Sequence, residues 1–228
     1  MNLRQLAIPT IGLFLVSCST PVTNHLPPPT SIDRKNAVII IKKPPYIQHG
    51  TFVEYVNVHS SQGITDWFFH CYPQFLYNLD STTISDKTRV VITITKVTLT
   101  ISLPITMRVG QLADKKTLEH EKGHVDIVMQ IYEKAQAAAL EASEPAIGLR
   151  FEGEGANAEE ALADALDKAA RQVCQNYRKK TVDEANELSS QFDEITKHGL
   201  AKISVPEAIK QSYETYKKKH ARASTPDL

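Results

Sequence analysis

Leu118-Glu119-His120-Glu121-Lys122-Gly123-His124-Val125-Asp126 lies inside a longer run, Leu112 to Ala142, that is dense in Ala, Glu, Lys and Leu and contains no proline. Alanine and unbranched side chains lose little freedom in a helix, so the run predicts one long helix, closed by Pro145 and Gly148. Ahead of it the period is that of strands. Arg89 to Leu103 alternates through Val91, Thr93, Thr95, Val97, Leu99 and Ile101, while Val90, Ile92 and Ile94 place apolar residues on the other face too. Such β-branched alternation is the strongest strand signal in the chain. Val38-Ile39-Ile40-Ile41, stopped by Pro44-Pro45, and the aromatic-rich Trp67 to Tyr77 predict further strands; Thr51 to His59 suits either a strand or a helix. The expected fold is therefore α+β: an antiparallel sheet of three or four strands up to Gly110, then a helical half.

That helical half continues beyond a glycine-rich link at Gly153 and Gly155. Asn157 with Glu160 three residues on reads as a capping box, followed by an apolar stripe of Leu162, Leu166, Ala169, Val173 and Tyr177. Thr181 with Glu184 predicts a break before a segment that runs to His198 and ends at Gly199. Val205-Pro206-Glu207 opens a last helix, and Lys217-Lys218-Lys219 reads as its solvated end.

The chain has 228 residues, 26 basic and 26 acidic, and 42% of its residues are apolar. A balanced charge gives no net positive field to release counterions from phosphates, so no nucleic-acid partner is expected. Residues 1–17 have the form of a signal peptide, with Arg4 ahead of an apolar stretch from Leu6 to Val16 that is too short to span a bilayer. Leu15-Val16-Ser17-Cys18 resembles the lipobox of bacterial lipoproteins. That resemblance implies a lipid on Cys18, and Ser19 after it resembles the signal for the outer membrane. The expected location is the bacterial envelope, lipid-anchored at the periplasmic face of the outer membrane. Residues 18–35, with four of the twelve prolines between Thr20 and Arg34, read as an extended tether. Residues 36–228 read as a single domain with a β-rich part, 36–110, and a helical part, 111–228. Once Cys18 is set aside, Cys71 and Cys174 form an even pair in an oxidising compartment, which favours a disulfide over two separately buried thiols.

The chemistry is carried by H-E-x-x-H. Residues i and i+4 share a helical face, so His120 and His124 can direct both imidazoles at one Zn2+ ion. Glu121 lies about 100 degrees round the helix, beside the metal, where a general base for a metal-bound water belongs. The pattern is that of zincin hydrolases, which cut amide bonds. Gly123 would cost an exposed helix up to about 1 kcal/mol, and it predicts a crowded face or a close backbone approach. A catalytic zinc needs a third protein ligand. Glu141 and Glu144 follow at a suggestive interval, but along one helix they would stand about 25 to 30 Å away. From the residues alone His198, Glu187, Asp193 and Glu194 stay open, and His198 has the competing role of a helix C-terminal cap. His25, His49, His59, His70 and His220 lack partner spacing.

The helix motif, together with Phe192-Asp193-Glu194-Ile195-Thr196-Lys197-His198-Gly199, resembles a bacterial family of unknown function described as predicted secreted zinc-dependent proteases. Its H-E-x-x-H is paired with a later T-x-H-G, matched here by Thr196, His198 and Gly199, with an upstream cysteine matched by Cys174; Gly50, Trp67 and Leu103-Pro104 match its first half more loosely. The likeness spans residues 40 to 200. Phe192 replaces the family's tyrosine before the aspartate, so no hydroxyl is present there. The resemblance implies His198 as the third metal ligand. It also implies a zinc metallopeptidase of the H-E-x-x-H type, acting on a peptide or protein substrate, with His120 and His124 as ligands and Glu121 as catalytic base. The rival expectation is a non-catalytic envelope lipoprotein, either a binding module that grips a partner by its sheet edge or a pseudoenzyme stabilised by zinc.

Overall fold

The computed structural model describes residues 36–52, 63–84 and 87–223. The signal segment, Cys18 and the tether, as well as Val53 to His59 of the ambiguous segment, lie outside the described residues. Strand β5, Lys87–Ser102, is the spine of the fold. Its first half buries Val90, Ile92 and Ile94, and its second half buries Val97, Leu99 and Ile101. Parity changes because the register with β4, His70–Ile84, shifts between Leu76 and Tyr77, which face Lys96 and Ile94 and leave Thr95 as the extra residue. A bulge of this kind turns the inward face by one residue. It is why both faces of this strand carry apolar side chains in the sequence.

Along its other edge, β5 pairs with β1, Val38–Lys42, at Val97–Ile101 and with β7, Arg150–Gly155, at Thr88–Thr93. A second sheet has the order β2-β6-β3, from Tyr46–Phe52, Pro104–Gly110 and Gly63–Trp67. The two sheets share three chain passages: β1 leads into β2, β3 into β4, and β5 through the buried Leu103 into β6. The expectation of an antiparallel sheet is corrected here, for both sheets are mixed. β1 runs parallel to β5 and β2 parallel to β6, whereas β4, β7 and β3 run antiparallel to theirs. Only β4 follows directly into β5, so only that pair is reversed by a tight connection; β1 and β2 are remote in sequence and can enter in either direction.

The long helical run is divided. Helix α1, Lys115–Glu133, ends at Lys134, and α2, Ala135–Ser143, carries the chain on to a 3-10 turn at Glu144–Ala146. Helix α3, Ala158–Lys179, starts at Asn157, whose side chain accepts from the Glu160 N–H, with Glu160 reaching back to the Ala156 N–H. It buries Ala161, Ala165, Ala169, Val173 and Tyr177. The segment expected to be a glycine-rich link is strand β7. A Cβ at Gly153 would stand 2.6 Å from the backbone nitrogen of Ala165, so glycine lets α3 lie directly on the strand. The chain breaks at Thr181 into α4, Val182–Thr196, and ends with α5, Val205–Ala223.

Cys71 of β4 and Cys174 of α3 form a disulfide with 103 residues of sequence separation. A cross-link closing so long a loop lowers the entropy of the unfolded chain by about 4–5 kcal/mol in free energy. Replacing both cysteines by alanine is expected to lower unfolding stability by about that amount, read as a clear fall in the urea midpoint. An unchanged midpoint would show that α3 is held on the sheet by packing alone.

Candidate metal centre

The two histidines are brought into register by helix α1, which starts at Asp114, whose carboxylate accepts from the Thr117 N–H. One face of α1 packs on β3 and β6, and another on α4 and α5. His120, Glu121 and His124 are buried at 7%, 4% and 7% exposure, an unusual concentration of polar side chains unless each has a partner. Each has one.

His120 Nε2 and His124 Nε2 stand 3.2 Å apart. Asp193 Oδ1, from α4, lies 3.0 Å from the first and 3.1 Å from the second. A tetrahedral ion with bonds of about 2.0–2.1 Å separates its ligand atoms by about 3.3 Å, so the triangle has nearly the edge lengths of one tetrahedral face. The far ring nitrogens are held by hydroxyls of α4. Thr196 Oγ1 donates its single proton to the Phe192 carbonyl at 2.7 Å and lies 3.3 Å from His120 Nδ1, which assigns the ring proton to Nδ1. Ser189 Oγ lies 2.7 Å from His124 Nδ1 and plays the same orienting part. Two imidazole nitrogens and a carboxylate oxygen thus converge on one point, an arrangement that a shared proton or a cation holds together. Burial alone would raise the Asp193 carboxyl, but hydrogen bonds and charge from His120 and His124 outweigh it and hold the group well below the usual carboxylate range. Among the described residues, these three form the one group of histidines, cysteines or carboxylates with metal-holding geometry.

Aromatic rings keep the cluster rigid. Phe192 stacks on His120 with centroids 5.0 Å apart and meets His124 edge-on at 5.1 Å, and Trp67 of β3 stacks on His124 at 6.4 Å. The close approach expected at Gly123 is that of Phe192: a Cβ there would stand 2.9 Å from the ring's Cε1. Glu121 points toward β3 instead. Thr65 Oγ1 lies 2.6 Å from Glu121 Oε2, and a Cβ on Gly63 would stand 2.6 Å from Oε1, so glycine is what lets the strand pass over the carboxylate. His120, Glu121, His124, Trp67, Thr65 and Asp193 open onto a cleft of about 1010 Å³, lined also by Ile64, Lys116 and Leu200.

His198, expected as the third ligand, stands outside the three-atom group. Helix α4 ends in consecutive left-handed residues, Lys197 (φ 49°), His198 (φ 53°) and Gly199 (φ 83°). This turn presses Gly199 onto His120, where a Cβ would stand 3.3 Å from the histidine's own, and leaves the His198 side chain 74% exposed at the mouth of the cleft. Its Nδ1 is 3.6 Å from Asp193 Oδ1. Asp193, about one helical turn earlier, supplies the third atom of the group. Glu187 is engaged elsewhere, by Lys219 and His220. Ser189, Asp193 and Thr196 recur at helical spacing beside the buried Ala185, Leu188 and Phe192; three polar residues on an inward sector were the sequence signal for this half of the site.

No family model, curated protein or solved structure matches the chain. Fold and site together define a mixed α/β protein with a buried histidine–aspartate cluster of a geometry that could hold a metal ion.

Proposed function

We propose that this protein is an exported zinc-dependent hydrolase of zincin-like build, a metalloprotease that cuts peptide bonds in the bacterial envelope. The observation that carries the reading is the convergence of His120 Nε2, His124 Nε2 and Asp193 Oδ1 at 3.0–3.2 Å beside a buried glutamate in an open cleft. Softness and geometry favour zinc for two imidazoles and one carboxylate. When bound, zinc polarises a carbonyl and makes water more acidic. The chain's own residues do the remaining work. Glu121, held in place by the Thr65 hydroxyl on its Oε2, would accept the proton of the attacking water and return it to the departing amine. Ser189 and Thr196 keep the imidazoles turned inward, and Trp67 and Phe192 exclude solvent from their faces. Export is supported by the lipobox-like Leu15-Val16-Ser17-Cys18 and by the Cys71–Cys174 disulfide, a bond that persists in oxidising compartments.

Metal analysis tests this reading. The purified protein is expected to carry about one zinc per chain, and a chelator should abolish peptide hydrolysis until zinc is restored. Protein without zinc, or hydrolysis indifferent to chelation, would overturn it.

A further inference from the structure

Behind the Lys197–Gly199 turn lies a second cavity of about 630 Å³ that shares Lys116, His120 and Gly199 with the cleft. Ala201, Ile203, Val205 and Pro206 give it an apolar wall. Its charged residues are Lys116, Lys122, Lys202 and Glu119. Glu119 is paired with Lys115 at 3.5 Å, whereas none of the three lysines has a carboxylate within ion-pair distance among the described residues. In a chain of zero formal charge, three lysines without a close ion pair, with Asp114 and Asp126 acting on Lys116 and Lys122 only at longer range, stand around an apolar wall next to the histidine–aspartate cluster and make a place for an anion with an apolar stem. Lysine is suited to this as a mobile point charge that meets a carboxylate from several directions.

We propose that this cavity is a substrate subsite for a carboxylate-bearing residue close to the scissile bond, so that the protein acts on acidic peptides. The proposal rests on the hydrolase reading and names its substrate class. The carboxylate belongs either to an acidic side chain or to a free peptide C-terminus; both present the same charge to Lys116, Lys122 and Lys202. The apolar wall receives the stem or a neighbouring apolar side chain, and the shared His120 and Gly199 make the cavity continuous with the cleft that holds the scissile carbonyl.

Binding can be read without turnover. The full-length Glu121→Gln protein, loaded with zinc, is titrated with fluorescent peptides in two matched pairs: Glu against Gln at one position, and free against amidated C-terminus. At low salt one carboxylate form is expected to bind about tenfold more tightly than its neutral match, as several weak surface contacts together allow. Rising salt should erase the difference, and so should the Lys122→Gln/Lys202→Gln double variant. Both lysines are exposed, so the variant should keep its zinc and its helical signal. The pair that shows the preference identifies the source of the carboxylate. Equal affinity within both pairs, a preference that survives the double variant, or no binding of any peptide would each overturn the subsite. Failure of the hydrolase reading looks different: the wild-type protein would cut no peptide even where the carboxylate preference is present.

Discussion

Glu121→Gln is expected to lower peptide hydrolysis by about a hundred- to ten-thousandfold, the usual contribution of a positioned acid–base group, while zinc stays at one per chain. The substitution is chosen for what it preserves. Glutamine has the shape of glutamate, so it fits in the same place beneath Gly63, whose lack of a Cβ makes that space. Its amide oxygen still accepts the Thr65 hydroxyl that now lies 2.6 Å from Glu121 Oε2. The three atoms of the cluster are untouched, so metal content has no reason to change. What disappears is the capacity to take up a proton. Parallel measurement of zinc and of hydrolysis therefore separates two accounts. A protein that holds zinc for stability alone would show the same unfolding midpoint and the same phenotype in both forms, and unchanged hydrolysis would place the base elsewhere.

How far the sequence revealed this site follows from which contacts are local. His120, Glu121 and His124 lie within one helical turn and a half, so their relative placement follows from helix geometry and could be read directly. Strand β5, the Asn157 cap and the break at Thr181 were legible for the same reason. Asp193 was not, because its place depends on where α4 returns. An antiparallel partner to α1 would have been sought in α3, but α3 is committed to β7, β5 and β4, with Cys174 tied to Cys71, and α4 packs on α1 instead. Strand β7 was hidden by its glycines. Gly153 and Gly155 are poor strand formers, yet they are required because α3 sits against the strand's backbone. The parallel entry of β1 and β2 left no local signal either, for nothing near those residues fixes their direction. Gly63 and Thr65 fall in the same class, since their use appears only when β3 crosses over Glu121.

If the cluster holds zinc as proposed, Asp193→Ala is expected to abolish stoichiometric binding, with affinity falling by more than the roughly ten- to hundredfold typical of an outer-shell partner. Removing Asp193 Oδ1 leaves two imidazoles and no anion opposite them, so the remaining donors neither complete a tetrahedral face nor offset the ion's charge. His198→Ala is the informative counterpart. The His198 side chain is 74% exposed, and its Nδ1 lies 3.6 Å from Asp193 Oδ1, beyond hydrogen-bonding reach. Its loss should leave zinc at one per chain, and competition with a chelator of known affinity measures both variants on one scale. The opposite pattern, zinc kept by Asp193→Ala and lost by His198→Ala, would mean that the left-handed turn at Lys197–Gly199 rearranges when metal enters. Two successive non-glycine residues with positive φ make that turn the most strained backbone near the site. It is pinned by Gly199 against His120 and by the His198 N–H donating to the Asp193 carbonyl at 3.0 Å. A turn pinned at both ends holds the His198 ring at the cleft mouth, so on the zinc reading Asp193 is the anion expected beside the two imidazoles.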